Sequence, residues 1–146
     1  MEITTMTSAH TAQIAALEKA CFSDPWSEKS IASELENELS VWLVALDGET
    51  VAGYIGSQSV LGESDMMNVA VAPGYRRQGI GEALVKALSR RLAENGNRTL
   101  TLEVRASNEP ARAMYEKLGF AQVGLRLRYY QKPREDALIL RKELAE

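Results

Sequence analysis

The sequence holds one cysteine, Cys21, and one histidine, His10, among its 146 residues. A lone cysteine excludes an internal disulfide, and these two residues alone cannot build a His/Cys zinc site, so no metal is expected. No apolar run approaches the roughly 20 residues that cross a bilayer as a helix. The opening residues lack a basic segment followed by an apolar stretch, so a secretory leader is not expected and a cytoplasmic location is. There is no basic excess either. Lys and Arg total 17 against 20 Asp and Glu, a net charge of −3, which argues against a general nucleic-acid binder. Internal repeats, low-complexity tracts and linker-like Pro/Gly/Ser stretches are missing. What remains is 45% hydrophobic and 25% charged, an average globular composition that excludes wholesale disorder and coiled coil. The expectation is one domain over residues 1–146, a monomer or weak oligomer with no membrane or nucleic-acid partner.

Hydrophobic periodicity and turn residues divide the chain. Ser8 is a candidate cap for a helix over 8–22, with Ile14, Leu17, Ala20 and Cys21 at helical spacing. Ser23-Asp24-Pro25-Trp26 breaks it, and Ser27 can cap a second helix over about 28–38. Asp47-Gly48 between the β-type runs 41–45 and 51–55 signals a hairpin, and Gly62 marks a turn before a strand at 66–71. The clearest helix is 79–95, with Ile80, Leu84, Ala87, Leu88 and Leu92 in one stripe and Arg90, Arg91 and Glu94 toward water. A strand at 100–105 follows, then a short helix capped by Ser107 or Asn108 with Pro110 in its first turn. Two strands, 120–129 and 136–144, close the chain. The order β-α-α-β-β-β-α-β-α-β-β predicts an α/β (α+β) fold with a mostly antiparallel sheet. One parallel crossover would run from 66–71 through 79–95 to 100–105.

The strongest chemical signal is Pro73-Gly74-Tyr75-Arg76-Arg77-Gln78-Gly79-Ile80-Gly81, which joins a strand to the clearest helix. Backbone N–H groups at a helix start, glycines that admit a phosphate and two arginines suit an anion. A P-loop is excluded, because Ile80 and Gly81 stand where Lys and Ser/Thr are needed. A dinucleotide fingerprint fits only in part, because Leu84 replaces the third glycine. The pattern R-x-x-G-x-G, Arg76 to Gly81, fits throughout. The plainer alternative is a helix start whose glycines serve packing alone.

The stretch Val69 to Gly81 resembles the acyl-CoA motif of the GCN5-related N-acetyltransferases (GNAT), and Asn108 to Phe120 resembles their second signature. The resemblance covers nearly the whole chain. It implies a GNAT-like sheet with helices on both faces and acetyl-CoA as cosubstrate. It implies that backbone groups of Val69, Ala70 and Val71 hold the pantetheine and acetyl carbonyl. Those of Arg77, Gln78, Gly79, Ile80, Gly81 and Glu82 would hold the pyrophosphate, and Asn108 would contact the pantetheine arm. Pro25-Trp26-Ser27, Leu102 to Asn108, Arg128-Tyr129-Tyr130 and Glu135-Asp136-Ala137 are similar to the branch that acetylates the N-terminal alanine of a ribosomal protein, protein eighteen of the small subunit. Glu109-Pro110 departs from the small residues expected after the asparagine, but proline is tolerated in a first helical turn.

Acetyl transfer needs a neutral amine, a stabilised oxyanion and a proton for the departing thiolate. Glu103, between Leu102 and Val104, could be the base, directly or through a water; otherwise it is an exposed strand residue paired with an arginine. The resemblance favours the base. Tyr115, about two turns after Asn108, could protonate the thiolate; otherwise it packs its helix on the sheet. The resemblance favours the acid. Cys21 lacks a base partner, since His10 lies eleven residues earlier, about 16 Å along the same expected helix. Direct attack in a ternary complex is therefore expected, with Cys21 a small buried residue. An α-amine has a pKa about 2.5 units below lysine, so its deprotonation costs about 3.4 kcal/mol less and suits a carboxylate base.

Residues 18–49 carry eight acids and two bases, whereas 76–98 carry six bases and two acids. The second segment suits an anionic cosubstrate. The first could attract a basic protein, or be a solvated face. Trp26, Tyr129 and Tyr130 fall in expected loops and could wall an acceptor groove. The alternatives are the same fold acting on protein lysine or a small-molecule amine, and a non-catalytic acyl-CoA-binding module.

Overall fold

A computed structural model describes residues 1–131 and 133–144. The elements run β1 (Glu2–Thr5), α1 (Thr11–Cys21), α2 (Glu28–Ser33), β2 (Ser40–Asp47), β3 (Thr50–Val60), β4 (Glu63–Val71), α3 (Ile80–Glu94), β5 (Thr99–Arg105), α4 (Glu109–Lys117), β6 (Ala121–Gln131) and β7 (Arg134–Glu143). Single 3₁₀ turns follow α2 at Glu34–Glu36 and β4 at Pro73–Tyr75. The seven strands have the order β1-β2-β3-β4-β5-β7-β6. The β1–β2, β2–β3, β5–β7 and β6–β7 pairs are antiparallel and β4–β5 is parallel, so the mostly antiparallel sheet with one parallel crossover is observed.

The chain forms two compact units, Met1–Gln58 with Met67–Leu88, and Ser59–Met66 with Ser89–Glu146. In the first unit, Met6, Ile14, Ala15, Ile31, Trp42, Val44, Val51 and Tyr54 make a buried cluster, with Leu17, Trp26, Leu46 and Ala70 packed on it. The β2–β3 loop is one residue later than Asp-Gly suggests. Asp47 pairs with Thr50, leaving Gly48-Glu49 as the two-residue loop with Gly48 at φ +61°. A glycine at the first loop position supplies the left-handed backbone that matches strand twist.

Helix α1 differs from the sequence expectation. It starts at Thr11 with His10 at the cap position, and Ser8 lies in the preceding turn. The buried stripe is Thr11, Ile14, Ala15 and Glu18, whereas Leu17 and Cys21 are half-buried and Ala20 is exposed. Spacings of three and four place those four residues on one face. Ser27 caps α2 as expected, its Oγ accepting from Ser30 N at 3.1 Å. That helix ends at Ser33 rather than continuing to 38, because the next residues tighten into the 3₁₀ turn.

In the second unit, β5 alternates strictly. Leu100, Leu102 and Val104 are buried, while Thr99, Thr101, Glu103 and Arg105 share the other face. Leu102 stands opposite Leu140 of β7, and Val104 opposite Leu138. Asn108 caps α4, its Oδ1 accepting from Ala111 N at 3.3 Å. Pro110 occupies the first turn, where its missing N–H costs nothing.

Candidate active site

The first unit carries the phosphate-binding candidate. Val69, Ala70 and Val71 are the last, half-buried residues of β4. Gly53 of β3 makes this close packing possible, because a Cβ there would lie 3.0 Å from Ala70 O and 3.3 Å from Ile80 and Leu84. Ala72 N then donates to Ala52 O at 2.8 Å, tying the strand end to β3. The loop turns through Pro73–Tyr75, and Tyr75 Oη donates to Asp47 at 2.8 Å. Arg77 is left-handed at φ +64° and Gly79 at φ +78°, and a Cβ at Gly79 would meet nothing within 4 Å. Gly79 O receives Ala83 N at 3.0 Å, closing the first turn of α3. The amides of the first turn have no intrahelical acceptor, and the helix dipole adds partial positive charge there. With Arg77, Gln78 and Gly79 exposed, this donor set fits a diphosphate.

Arg76 behaves differently from Arg77. Its Nε donates to Val71 O at 3.2 Å and its Nη2 approaches Cys21 Sγ at 3.5 Å. It therefore turns back on the strand and on α1. Glu82 pairs with Lys86 at 3.2 Å, one helical turn on.

The sequence reading missed a buried carboxylate in the same unit. Glu18 is fully buried on the inner stripe of α1. Its Oε1 accepts from Trp26 N at 2.8 Å, and its Oε2 from Asn68 Nδ2 at 2.7 Å and from Tyr54 Oη. Burial, then the bond and charge of Glu18, push the Tyr54 phenol far above its ordinary value. A charged residue at the i+4 position from Ile14 was the available signal. Trp26 is half-buried in the segment after α1, edge-on to Trp42 at 5.5 Å, and Trp42 in turn stacks on Tyr54 at 6.1 Å.

The acidic segment is not uniformly free to attract a partner. Glu18 is buried, and Glu34 accepts from Ser40, Trp42, Gln58 and Asn37. Burial raises the Glu34 pKa, but those hydrogen bonds outweigh it and the net shift is downward. Asp24, Glu28, Glu36, Glu38 and Glu49 are exposed.

The second unit carries the expected acid and base. Glu103 projects from the half-exposed face of β5, with Oε2 against Arg126 Nε of β6 as an ion pair without hydrogen-bond geometry. Arg126 is itself 57% exposed. Arg105, on the same face of β5, lies 4.3 Å over the Tyr130 ring and donates to Pro133 O at 2.9 Å. Tyr130 is half-buried; burial first, then Glu103 and Tyr129, push its phenol up to about 12. Tyr129 and Tyr130 lie within β6 rather than in a loop. They follow a break in the β6–β7 register between Arg126 and Tyr130, where Arg128 is left-handed at φ +54° and donates its N–H to Asp136 at 2.8 Å.

Tyr115 is 5% exposed, edge-on to Phe120 at 5.5 Å, and its Oη lies 4.0 Å from Met66 Sδ. Burial, then Tyr130, push its phenol up to about 12. The charge coupling of Tyr115 to Tyr130 and of Tyr130 to Glu103 puts the three in one electrostatic neighbourhood. Asn108 is exposed at the start of α4 with one amide oxygen committed to the cap. Among the described residues, no cluster of three metal-ligating side chains occurs.

Comparison with known proteins gives the family. The profile of the acetyltransferase (GNAT) family matches residues 11–120. A [ribosomal protein bS18]-alanine N-acetyltransferase of Escherichia coli K12 is 41% identical over 126 residues, 85% of this chain and 84% of that protein. The Haemophilus influenzae protein of the same name is 38% identical over 119 residues, 80% of each chain. The crystal structure of the ribosomal-protein-S18-alanine N-acetyltransferase from Escherichia coli superposes with a TM-score of 0.89 at 36% identity, covering 99% of this chain and 94% of that one. With a phosphate-type loop on the strand and helix this family uses, and a match over three quarters of its length, the chain belongs to the acetyltransferase (GNAT) family.

Proposed function

We propose that this acetyltransferase moves the acetyl group of acetyl-CoA to the α-amine of an N-terminal alanine, with ribosomal protein bS18 as the acceptor. The observation that carries this reading is the identity of about 40% to enzymes named for that reaction, over more than four fifths of both chains. We read residues 1–146 as one catalytic domain working in the cytoplasm. No helix among the described residues is long and apolar enough to cross a membrane.

The chain's own residues take these roles. Backbone groups of Val69, Ala70 and Val71 hold the pantetheine and polarise the thioester carbonyl. The backbone from Arg77 to Glu82 holds the pyrophosphate through the amides that open α3, and Asn108 steadies the pantetheine arm with its remaining amide group. Trp26, Tyr129 and Tyr130 border the acceptor. Glu103 takes a proton from the α-ammonium, directly or through a water. The neutral nitrogen attacks the thioester carbon, the C–N bond forms and the carbonyl oxygen carries the negative charge. As the intermediate collapses the C–S bond breaks and the sulfur takes the Tyr115 proton. The attacking nitrogen gives up its second proton, which restores the Tyr115 hydroxyl through solvent, and Glu103 releases its own proton to water. The products are the N-acetyl peptide and free CoA. Tyr115 suits that role because its raised pKa keeps the phenol protonated at neutral pH. No step passes through Cys21, whose sulfur lies 3.5 Å from Arg76 Nη2.

The test is acetyl-CoA turnover on short peptides. One carries the free N-terminal alanine of bS18, and the other has that terminus blocked and a lysine available. Turnover on the free alanine alone is the expected result. Turnover on lysine alone would replace the acceptor, and binding of acetyl-CoA without turnover on any amine would favour a binding module.

A further inference from the structure

Three segments of the first unit meet at the carboxylate of Glu18. One is the stretch after α1, represented by the backbone N–H of Trp26, which reaches Oε1 at 2.8 Å. The second is the final part of β4, represented by Asn68, whose Nδ2 reaches Oε2 at 2.7 Å. The third is β3, through the buried Tyr54 hydroxyl. Asn68 immediately precedes Val69, Ala70 and Val71. Each donor is neutral; the Tyr54 hydroxyl is buried, and the Trp26 N–H and the Asn68 amide are half-buried where they meet the carboxylate. A hydrophobic residue on the α1 stripe would pack against Ile14 and Ala15 equally well. The glutamate therefore adds direction, because its two oxygens fix two different segments at once.

We propose that Glu18 is a positioning residue that ties the acceptor-side segment at Trp26 to the acetyl-CoA strand at Asn68. Occupancy of the strand is thereby transmitted to the acceptor segment. The inference rests on the functional reading above, which assigns Val69–Val71 to acetyl-CoA and Trp26 to the acceptor. Glu18 touches neither substrate in this account. It holds the Trp26 amide and the Asn68 side chain at one fixed separation, so that ordering one orders the other. Tyr54 remains a hydrogen-bond donor throughout the working pH range, because its pKa is pushed far upward.

The experiment is hydrogen–deuterium exchange of the full chain, with and without acetyl-CoA, beside kinetics with each substrate varied. In the wild type, acetyl-CoA should slow exchange across 23–27 as well as at 68–72. Glu18→Gln keeps an oxygen for Tyr54 and Asn68 but turns an NH₂ donor toward the Trp26 N–H. Protection should persist at 68–72 and be lost at 23–27. The peptide KM should rise fivefold or more, while the acetyl-CoA KM stays within twofold. Asn68→Ala cuts the tie from the other side. It should remove the same protection at 23–27 and raise the peptide KM at least threefold, and it supplies the test if Glu18→Gln does not fold. Protection at 23–27 that survives both substitutions, or a lowered Tm with both KM values unchanged, would overturn the tie and leave Glu18 a structural residue. Absence of acetyl-CoA binding by the wild type would instead remove the functional reading itself.

Discussion

The guanidinium of Arg126 on β6 lies against the carboxylate of Glu103 on β5, although β7 separates the two strands in the sheet. Both are long side chains, and Glu103 stands opposite Ile139 while Arg126 stands opposite Ala137, so the pair reaches diagonally over β7. The proposed base thus has a cation beside it that can hold its rotamer. Arg126 is 57% exposed, and exposed ion pairs contribute at most about 1 kcal/mol. Arg126→Gln should lower stability by no more than that in a urea melt. Glu103→Gln should lower kcat/KM about 100-fold or more with acetyl-CoA affinity unchanged by calorimetry. A loss under tenfold for Glu103→Gln would make the pair structural.

Tyr115→Phe separates chemistry from packing. The ring's burial and its contact with Phe120 survive the change, and the hydroxyl lies 4.0 Å from the Met66 sulfur. Stability should change by less than about 1 kcal/mol, since the lost contact is weak. Turnover should fall by about 100-fold or more if the phenol protonates the thiolate. Unchanged turnover would leave Tyr115 as packing.

The raised pKa values of Tyr115 and Tyr130, each up to about 12, have a definite sign. Their folded values lie above the ordinary 10, so the native state retains protons that the unfolded chain loses. The stability linked to these phenols is complete below pH 10 and is lost as pH rises through 12. Urea denaturation at pH 8, 10 and 11 should show a steepening loss that is smaller in Tyr115→Phe. Turnover corrected for folding should show no fall attributable to Tyr115 between pH 8 and 10, because its phenol is still protonated there.

Gly53→Ala probes the acetyl-CoA strand from beneath. The added methyl would sit 3.0 Å from Ala70 O and 3.3 Å from Ile80 and Leu84. Backbone and two core side chains must give way, which costs about 1–3 kcal/mol. The acetyl-CoA KM should rise more than the peptide KM. The reverse order would detach Ala70 from acetyl-CoA.

The acidic segment is tested at its exposed members. Glu36 and Glu38 are exposed, whereas Glu34 is committed to four donors. Glu36→Lys with Glu38→Lys should raise the peptide KM at low salt, and the difference should shrink above ~0.15 M as the charges are screened. A KM unchanged at low salt would mark this as a solvated face.

Much of this protein follows from local pattern. The β2–β3 hairpin, the Ser27 and Asn108 caps and the stripe Ile80-Leu84-Leu88-Leu92 depend on neighbours within a few residues and are observed, the hairpin with its loop one residue later, at Gly48-Glu49. The expected Ser8 start of α1 failed because the sequence offers several polar residues there, and burial of Thr11 and Ile14 decides among them.

The order of elements, the loop chemistry between β4 and α3, and the family are all legible in the chain of residues alone. Each is written in short contiguous stretches whose physics is local. Which charges meet is settled by folding, not by neighbouring residues. Glu18 finds Tyr54 and Asn68 from 36 and 50 residues away, and Arg126 finds Glu103 across an intervening strand. A carboxylate's partner depends on which strands are neighbours, and strand order is set by burial of the whole core rather than by any one segment.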